Sequence, residues 1–340
     1  MKMLRRNRRL SAAIAGGLLA LGLLAIASPQ AIAGITLKMA TLAPKKSTWY
    51  RTFAAINADI VAATGGAVSI KIYPGGIHGD EKVTINKMKT GLIHASAVTS
   101  VGLAAIDPDI IAFQLPYLFK SYKELDCVRD SMRAELDAKF EAKGYKILGW
   151  GDIGYLYVFS NEEIHDPKDL GKVKLWSWTE DPITAQIAEV VGASTVPLAV
   201  PDVLPSLSTG VINAFSSSPY ATLVLGWGAK VTHMAGSPVG IGIGASVMSK
   251  KAYDSIPEAH RKLLKEISER RSKELVSKIR ADNSAAVKAL RRNGLKVYAL
   301  SPAEKAEWGR ISVETAKRLT GKVYSAAFFN KVKATLAGCR

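Results

Sequence analysis

The stretch from Asp166 to Pro219 constrains the fold most, because strand-like and helix-like segments alternate there at short intervals. Asp166 to Leu170 reads as a short capped turn, and Val173 to Trp178 as a strand. Pro182 to Val190 reads as a helix with proline in its first turn. Thr195 to Leu198 is a strand stub, Pro201 to Ser208 a short helix, and Val211 to Ser216 a further strand. Such alternation argues for βαβ units and a mostly parallel sheet. In sheets of that kind, ligands settle in the crevice outside the carboxyl ends of the strands. Two strand ends here carry Trp176 with Trp178, and Ser216 with Ser217 and Ser218. Indoles and hydroxyls therefore stand where a ligand would lie.

The preceding half follows the same logic. Ile35 to Ala40 is a first strand, and Ser47 caps a helix that Thr64-Gly65-Gly66 ends. Val68 to Tyr73 alternates as a strand, Pro74-Gly75-Gly76 turns, and a helix runs from about Gly79 to Thr90. Ala95 to Thr99 is another strand, Tyr122 to Lys143 a helix, and Lys146 to Gly151 a strand that continues through Tyr155, Tyr157 and Phe159. Those three aromatics share one face of an extended segment, either as core or as a wall of a cleft. Val239 to Met248 alternates glycine with apolar residues. Its spacing is not that of a dinucleotide loop, and strand residues passing close to other backbone explain it better. Pro257 to Asn293 reads as one long amphipathic helix, with Leu264, Leu275, Ile279 and Leu290 on its apolar face. Ser301 to Glu304 is a capping box.

Several segments resemble the substrate-binding proteins of tripartite ATP-independent periplasmic (TRAP) transporters, the dicarboxylate-type family. They are Asp169-Leu170-Gly171-Lys172-Val173-Lys174, Val191 to Leu198, Ser208 to Asn213, the Tyr73-Pro74-Gly75-Gly76 turn, and Gln114-Leu115-Pro116-Tyr117-Leu118-Phe119. The resemblance implies an α/β, two-lobe periplasmic binding protein fold with crossing hinge strands and a long helix spanning both lobes. It implies residues 34–153 plus 247–290 as the first lobe, and 154–246 plus 291–340 as the second. It also implies a small-molecule ligand in the interlobe cleft, membrane permease subunits as partners, and an accessory periplasmic protein as a further possible partner.

The likeness breaks where acid recognition would lie. The family's two common arginines fall at Leu156 and Trp176, and its acidic run near the last strand is Asn213 to Ser217 here. Arginine grips a carboxylate with two parallel hydrogen bonds, which neither leucine nor tryptophan can do. A mainly apolar or neutral ligand is therefore expected, packed on Trp176, Trp178, Tyr155, Tyr157 and Phe215. Asp152, Asn213, Ser216, Ser217 and Ser218 are its expected hydrogen-bonding partners, with Thr99 and Ser47 added from first-lobe strand ends. The alternative is a carboxylate held by another base, such as Lys38 or Lys45.

Residues 1–33 read as a signal peptide, with a basic start, an apolar Leu10 to Ile26 and a small-residue site at Ala31-Ile32-Ala33. Export to the periplasm is the expectation. Removing Lys2, Arg5, Arg6, Arg8 and Arg9 with that leader lowers the formal charge from +17 to +12. No basic run is interleaved with stacking aromatics, so nucleic acid is not an expected partner. In an oxidising compartment Cys127 and Cys339 either form one disulfide or stay unpaired. The five histidines are scattered, without a two-histidine helical metal pair, and no nucleophile elbow or phosphate loop occurs. No cofactor or metal is expected. A receptor is favoured over an enzyme, with a ligand sensor that does not transport as a further alternative.

Overall fold

The computed structural model describes residues 34–179 and 181–340. The signal-peptide reading lies outside them. No helix of the described residues is long and apolar enough to cross a membrane.

The strands are β1 (Ile35–Thr41), β2 (Val68–Tyr73), β3 (Ala95–Thr99), β4 (Tyr145–Ser160), β5 (Leu175–Trp178), β6 (Thr195–Leu198), β7 (Ala214–Ser217), β8 (His233–Ala235), β9 (Gly240–Ser249) and β10 (Lys296–Tyr298). The helices are α1 (Thr48–Ala63), α2 (Glu81–Lys89), α3 (Ser100–Ala104), α4 (Tyr122–Ala142), α5 (Pro182–Val191), α6 (Val200–Thr209), α7 (Pro219–Val224), α8 (Lys250–Asp254), α9 (Glu258–Arg292), α10 (Pro302–Leu319) and α11 (Ala326–Cys339). Local chemistry fixes many of these ends. Ser47 caps α1 by accepting the Tyr50 amide, and Ser301 and Glu304 form the expected capping box on α10. Gly192 and Gly210 end α5 and α6 in the left-handed conformation that glycine takes without strain.

The strands run in the order β2-β1-β3-β9-β4-β7-β5-β6, with β8 and β10 joined to β4 at its far end. The first five strands form one lobe and the rest the other, because β4 belongs to both. Its Tyr145 half pairs antiparallel with β9, and Tyr157 to Ser160 pair with β7. Register shifts between Ile147 and Gly149, and between Asp152 and Gly154, let the strand bend between its two sheets. Gly244 of β9 needs to be glycine: a Cβ there would stand 2.6 Å from the Val98 carbonyl oxygen. This is the close backbone passage that the glycine alternation implies.

Helix α9 spans roughly 50 Å at 1.5 Å per residue and serves both lobes. Leu264, Leu275, Ile279 and Ala286 pack in the first-lobe core, whereas Leu290 packs in the second. Each fully buried leucine or isoleucine contributes about 1.5–3 kcal/mol, so the helix binds the halves as well as crossing them. Cys127 of α4 and Cys339 of α11 form a disulfide, with Cα atoms 5.9 Å apart. Helix α11, grouped with the second lobe in the sequence reading, is stapled to the first, where Phe328, Val332 and Leu336 join the same core as α4. Helix α10 runs against α5 on the second lobe.

Candidate functional site

A cavity of about 260 Å³ lies between the lobes. Its floor is the crossing of β4 and β9, including Gly151, Gly242 and Gly244. The first lobe supplies Trp49 from α1, Glu81 from α2, and Thr99 and Ser100 from the junction of β3 and α3. The second supplies Trp176 and Trp178 from β5, Ser216 and Ser217 from β7, and Trp227. The chain has 6 tryptophans, and Trp150 and Trp308 complete the set that lines this space. Among the described residues the lining contains no lysine, arginine or histidine. Both positions where the resemblance places arginine, Leu156 and Trp176, face this cavity.

The indoles are fixed by their own hydrogen bonds. Trp176 donates to the Leu198 carbonyl at 3.1 Å and crosses Trp227 edge-on at 5.3 Å. Trp178 lies 6.2 Å from Trp176, nearly parallel to it, and donates across the cleft to Asp80 at 2.7 Å. Trp49 donates to the Asp152 carbonyl at 3.3 Å.

The other expected site residues divide. Ser216, Ser217 and Thr99 line the cavity, and so does Asp152. The Asp152 carboxylate is already committed: Arg129 reaches it at 2.7 Å and Arg280 at 2.6 Å, and its side chain is fully buried. Tyr155 packs against Tyr122 with ring centroids 4.3 Å apart and planes tilted by 43°, and its amide donates to the Tyr122 hydroxyl. Tyr157 packs beside the second-lobe core. Phe215 lies in that core, stacked on Phe159 at 5.3 Å. Asn213 accepts the Lys174 amide, Ser218 caps α7 through the Ala221 amide, and Ser47 caps α1. None of these six residues is among the lining. Lys38 and Lys45 are absent from it as well.

Two lining carboxyls escaped the sequence reading. Glu81 is 3% exposed. One oxygen accepts the Thr99 amide at 2.9 Å, and the other accepts the Thr99 hydroxyl at 2.9 Å and the Gly102 amide at 2.8 Å. Burial pushes its pKa up to about 8 against the pull of those donors. Asp181 caps α5, and burial raises its pKa too. The available signal for Glu81 was its place just inside an N-cap aspartate, which reads as a helix start and says nothing of a cavity. Among the described residues no group of three or more His, Cys, Asp or Glu could hold a metal ion.

Comparison with known proteins agrees with this architecture. The profile of the bacterial extracellular solute-binding proteins, family 7 (DctP), matches residues 39–322. The C4-dicarboxylate-binding periplasmic protein DctP of Rhodobacter capsulatus is 24% identical over 271 residues, covering 77% of this chain and 81% of its own. An uncharacterized protein, y4mM, of Sinorhizobium fredii is 29% identical over 177 residues, which is 51% of this chain but only 32% of that protein. A TRAP periplasmic solute-binding protein from Ralstonia eutropha, crystallised with (S)-2-acetolactate, superposes with a TM-score of 0.83 at 20% identity. It covers 89% of this chain and 99% of its own.

Proposed function

Because the chain belongs to the bacterial extracellular solute-binding proteins of family 7, we propose that it captures a small, mainly apolar or neutral solute between its lobes and delivers it to a TRAP-type membrane permease. The family consists of solute receptors rather than enzymes. A periplasmic location fits that role, and an accessory periplasmic protein would be a further partner.

The observation that carries the ligand reading is the composition of the wall. Leu156 and Trp176, where the resemblance places arginines, both line the cavity, and among the described residues no cationic side chain joins them there. The nearby Arg129 and Arg280 are neutralised by Asp152 and Asp126. A carboxylate entering this space would lose water without gaining a charged partner, at a cost of several kcal/mol. An apolar body gains about 25 cal/mol for each Å² removed from water. Few polar groups are needed to orient it, and Thr99, Ser216 and Ser217 supply hydroxyls.

Closure follows from the same arrangement. Ligand contacts made by both walls exist only when the lobes are together, so binding shifts the population toward the closed form. A thermal-shift panel setting C4-dicarboxylates and other organic acids against apolar alcohols and amides tests the reading. A ligand at a hundred times its Kd adds about 2.7 kcal/mol of stability. Apolar compounds should raise the melting temperature by several degrees. Comparable stabilisation by a simple dicarboxylate would refute the proposal and favour the conventional organic-acid receptor.

A further inference from the structure

The cavity wall is not electrically featureless, and its asymmetry has a sign. Glu81 and Asp181 both line it, and among the described residues neither is paired with a lysine, arginine or histidine. Asp181 spends its oxygens on the start of α5, through the Ile183 amide and the Thr184 hydroxyl. Glu81 is different. A carboxylate offers about four acceptor positions, and the Thr99 and Gly102 donors occupy three. One position is left on a carboxyl at the wall of a cavity.

Aromatic side chains line the same cavity. Trp178 hydrogen-bonds to Asp80, the residue next to Glu81, which holds the β5 indoles close to the start of α2. Trp176 and Trp178 lie nearly parallel at 6.2 Å, with Trp227 edge-on to the former. Indole faces attract cations through the ring quadrupole, most strongly where water is excluded. An acid would meet the same faces as repulsion. Burial holds Glu81 largely neutral near neutral pH, and a positive neighbour is what favours its ionised form.

We propose that the polar end of the otherwise apolar ligand is a positively charged nitrogen, a protonated or quaternary amine, received by Glu81 and the faces of Trp176 and Trp178. This rests on the reading of the cleft as a receptor site without an anion clamp, and it adds the charge of the guest. Glu81 is the specificity-determining residue in this scheme. Thr99 and Gly102 hold its carboxyl in place.

Three probes sharing one hydrocarbon body test it: cyclohexylmethylamine, cyclohexylmethanol and cyclohexanecarboxylate, titrated separately into the full-length mature protein near neutral pH and followed by tryptophan fluorescence. The amine should bind about tenfold more tightly than the alcohol, and the acid most weakly. Glu81→Gln should erase most of the gap between amine and alcohol. The wild-type ranking decides the matter alone if that variant fails to fold. Equal or tighter binding of the alcohol in the wild type overturns the amine assignment and leaves the apolar receptor standing. Tightest binding of the acid overturns both, as does absence of binding by all three at millimolar concentration.

Discussion

The indole N–H of Trp178, at the end of β5 in the second lobe, donates to Asp80 Oδ2 in the first lobe at 2.7 Å. The same oxygen accepts the Val200 amide at 3.1 Å, and the other oxygen caps α2 through the Glu81 amide. One carboxylate therefore serves a helix start and two donors from the opposite lobe. A hydrogen bond to a charged group contributes about 1.5–3 kcal/mol. If the lobes part, this contact is lost. Asp80→Asn, which keeps a capping oxygen, should leave unfolding stability within about 1 kcal/mol. It should weaken ligand binding by roughly tenfold through a larger open population. Trp178→Phe should do the same. A double-mutant cycle between the two, read from ligand affinity, should give a coupling near 1–2 kcal/mol. Additive losses would show that the bond does not govern closure.

Gly154 stands where β4 passes under α9. Its φ is +109°, and a Cβ there would lie 2.3 Å from Asn283 Nδ2. Asn283 is itself committed, donating to the Ile153 and Ile279 carbonyls and accepting the Tyr220 amide. Gly154→Ala should therefore cost about 3 kcal/mol or more, combining backbone strain with overpacking. Gly192→Ala, at φ +73° with nothing within 4 Å of its added carbon, should cost only about 1 kcal/mol. Urea unfolding midpoints of the two variants check the difference, and equal costs would contradict the packing argument.

The disulfide between Cys127 and Cys339 closes a sequence separation of 212 residues. Constraining so long a loop in the unfolded chain is worth about 2–5 kcal/mol. A Cys127→Ala, Cys339→Ala protein should unfold at lower urea by that amount. Because the staple joins two helices of one lobe away from the cavity lining, ligand affinity should change less than twofold. A large affinity loss would place α11 in the closure mechanism instead.

Burial raises the Glu81 pKa from its ordinary 4.5 to about 8. The folded protein then holds a proton that the unfolded chain releases, so stability falls as pH rises. The loss begins near pH 4.5 and is complete near pH 8. Integrated over that window it is on the order of 4 kcal/mol, and Asp181 adds a loss of the same sign. Glu81→Gln should flatten the dependence. Unfolding midpoints of the two proteins at about pH 5 and about pH 8 test it, and parallel behaviour would contradict it.

Much of this fold was legible because local signals and the tertiary outcome agree. The expected helix from Pro257 to Asn293 is α9 within a residue at each end, and the Ser301–Glu304 box opens α10. The alternation from Asp166 to Pro219 appears as β5, α5, β6, α6 and β7. The site was legible only at strand ends. Trp176, Trp178, Ser216 and Ser217 come to the cavity because β5 and β7 stop there. Ser218 and Ser47 carry the same hydroxyl but spend it on helix starts, a choice set by backbone angles. Phe215 and Tyr155 share a strand with lining neighbours, yet pleat and bulge turn them to cores. The Asp80–Trp178 bond joins residues 98 positions apart, and Glu81 gains its character from burial by β3 and α3. Neither has a local signature.

The cleft is walled by indoles, and among the described residues no positive side chain lines it to hold an acid. Calorimetric titration of succinate, a C4-dicarboxylate, into the protein tests this most directly. The prediction is no saturable heat at millimolar concentration. Saturable binding in the micromolar range would contradict it.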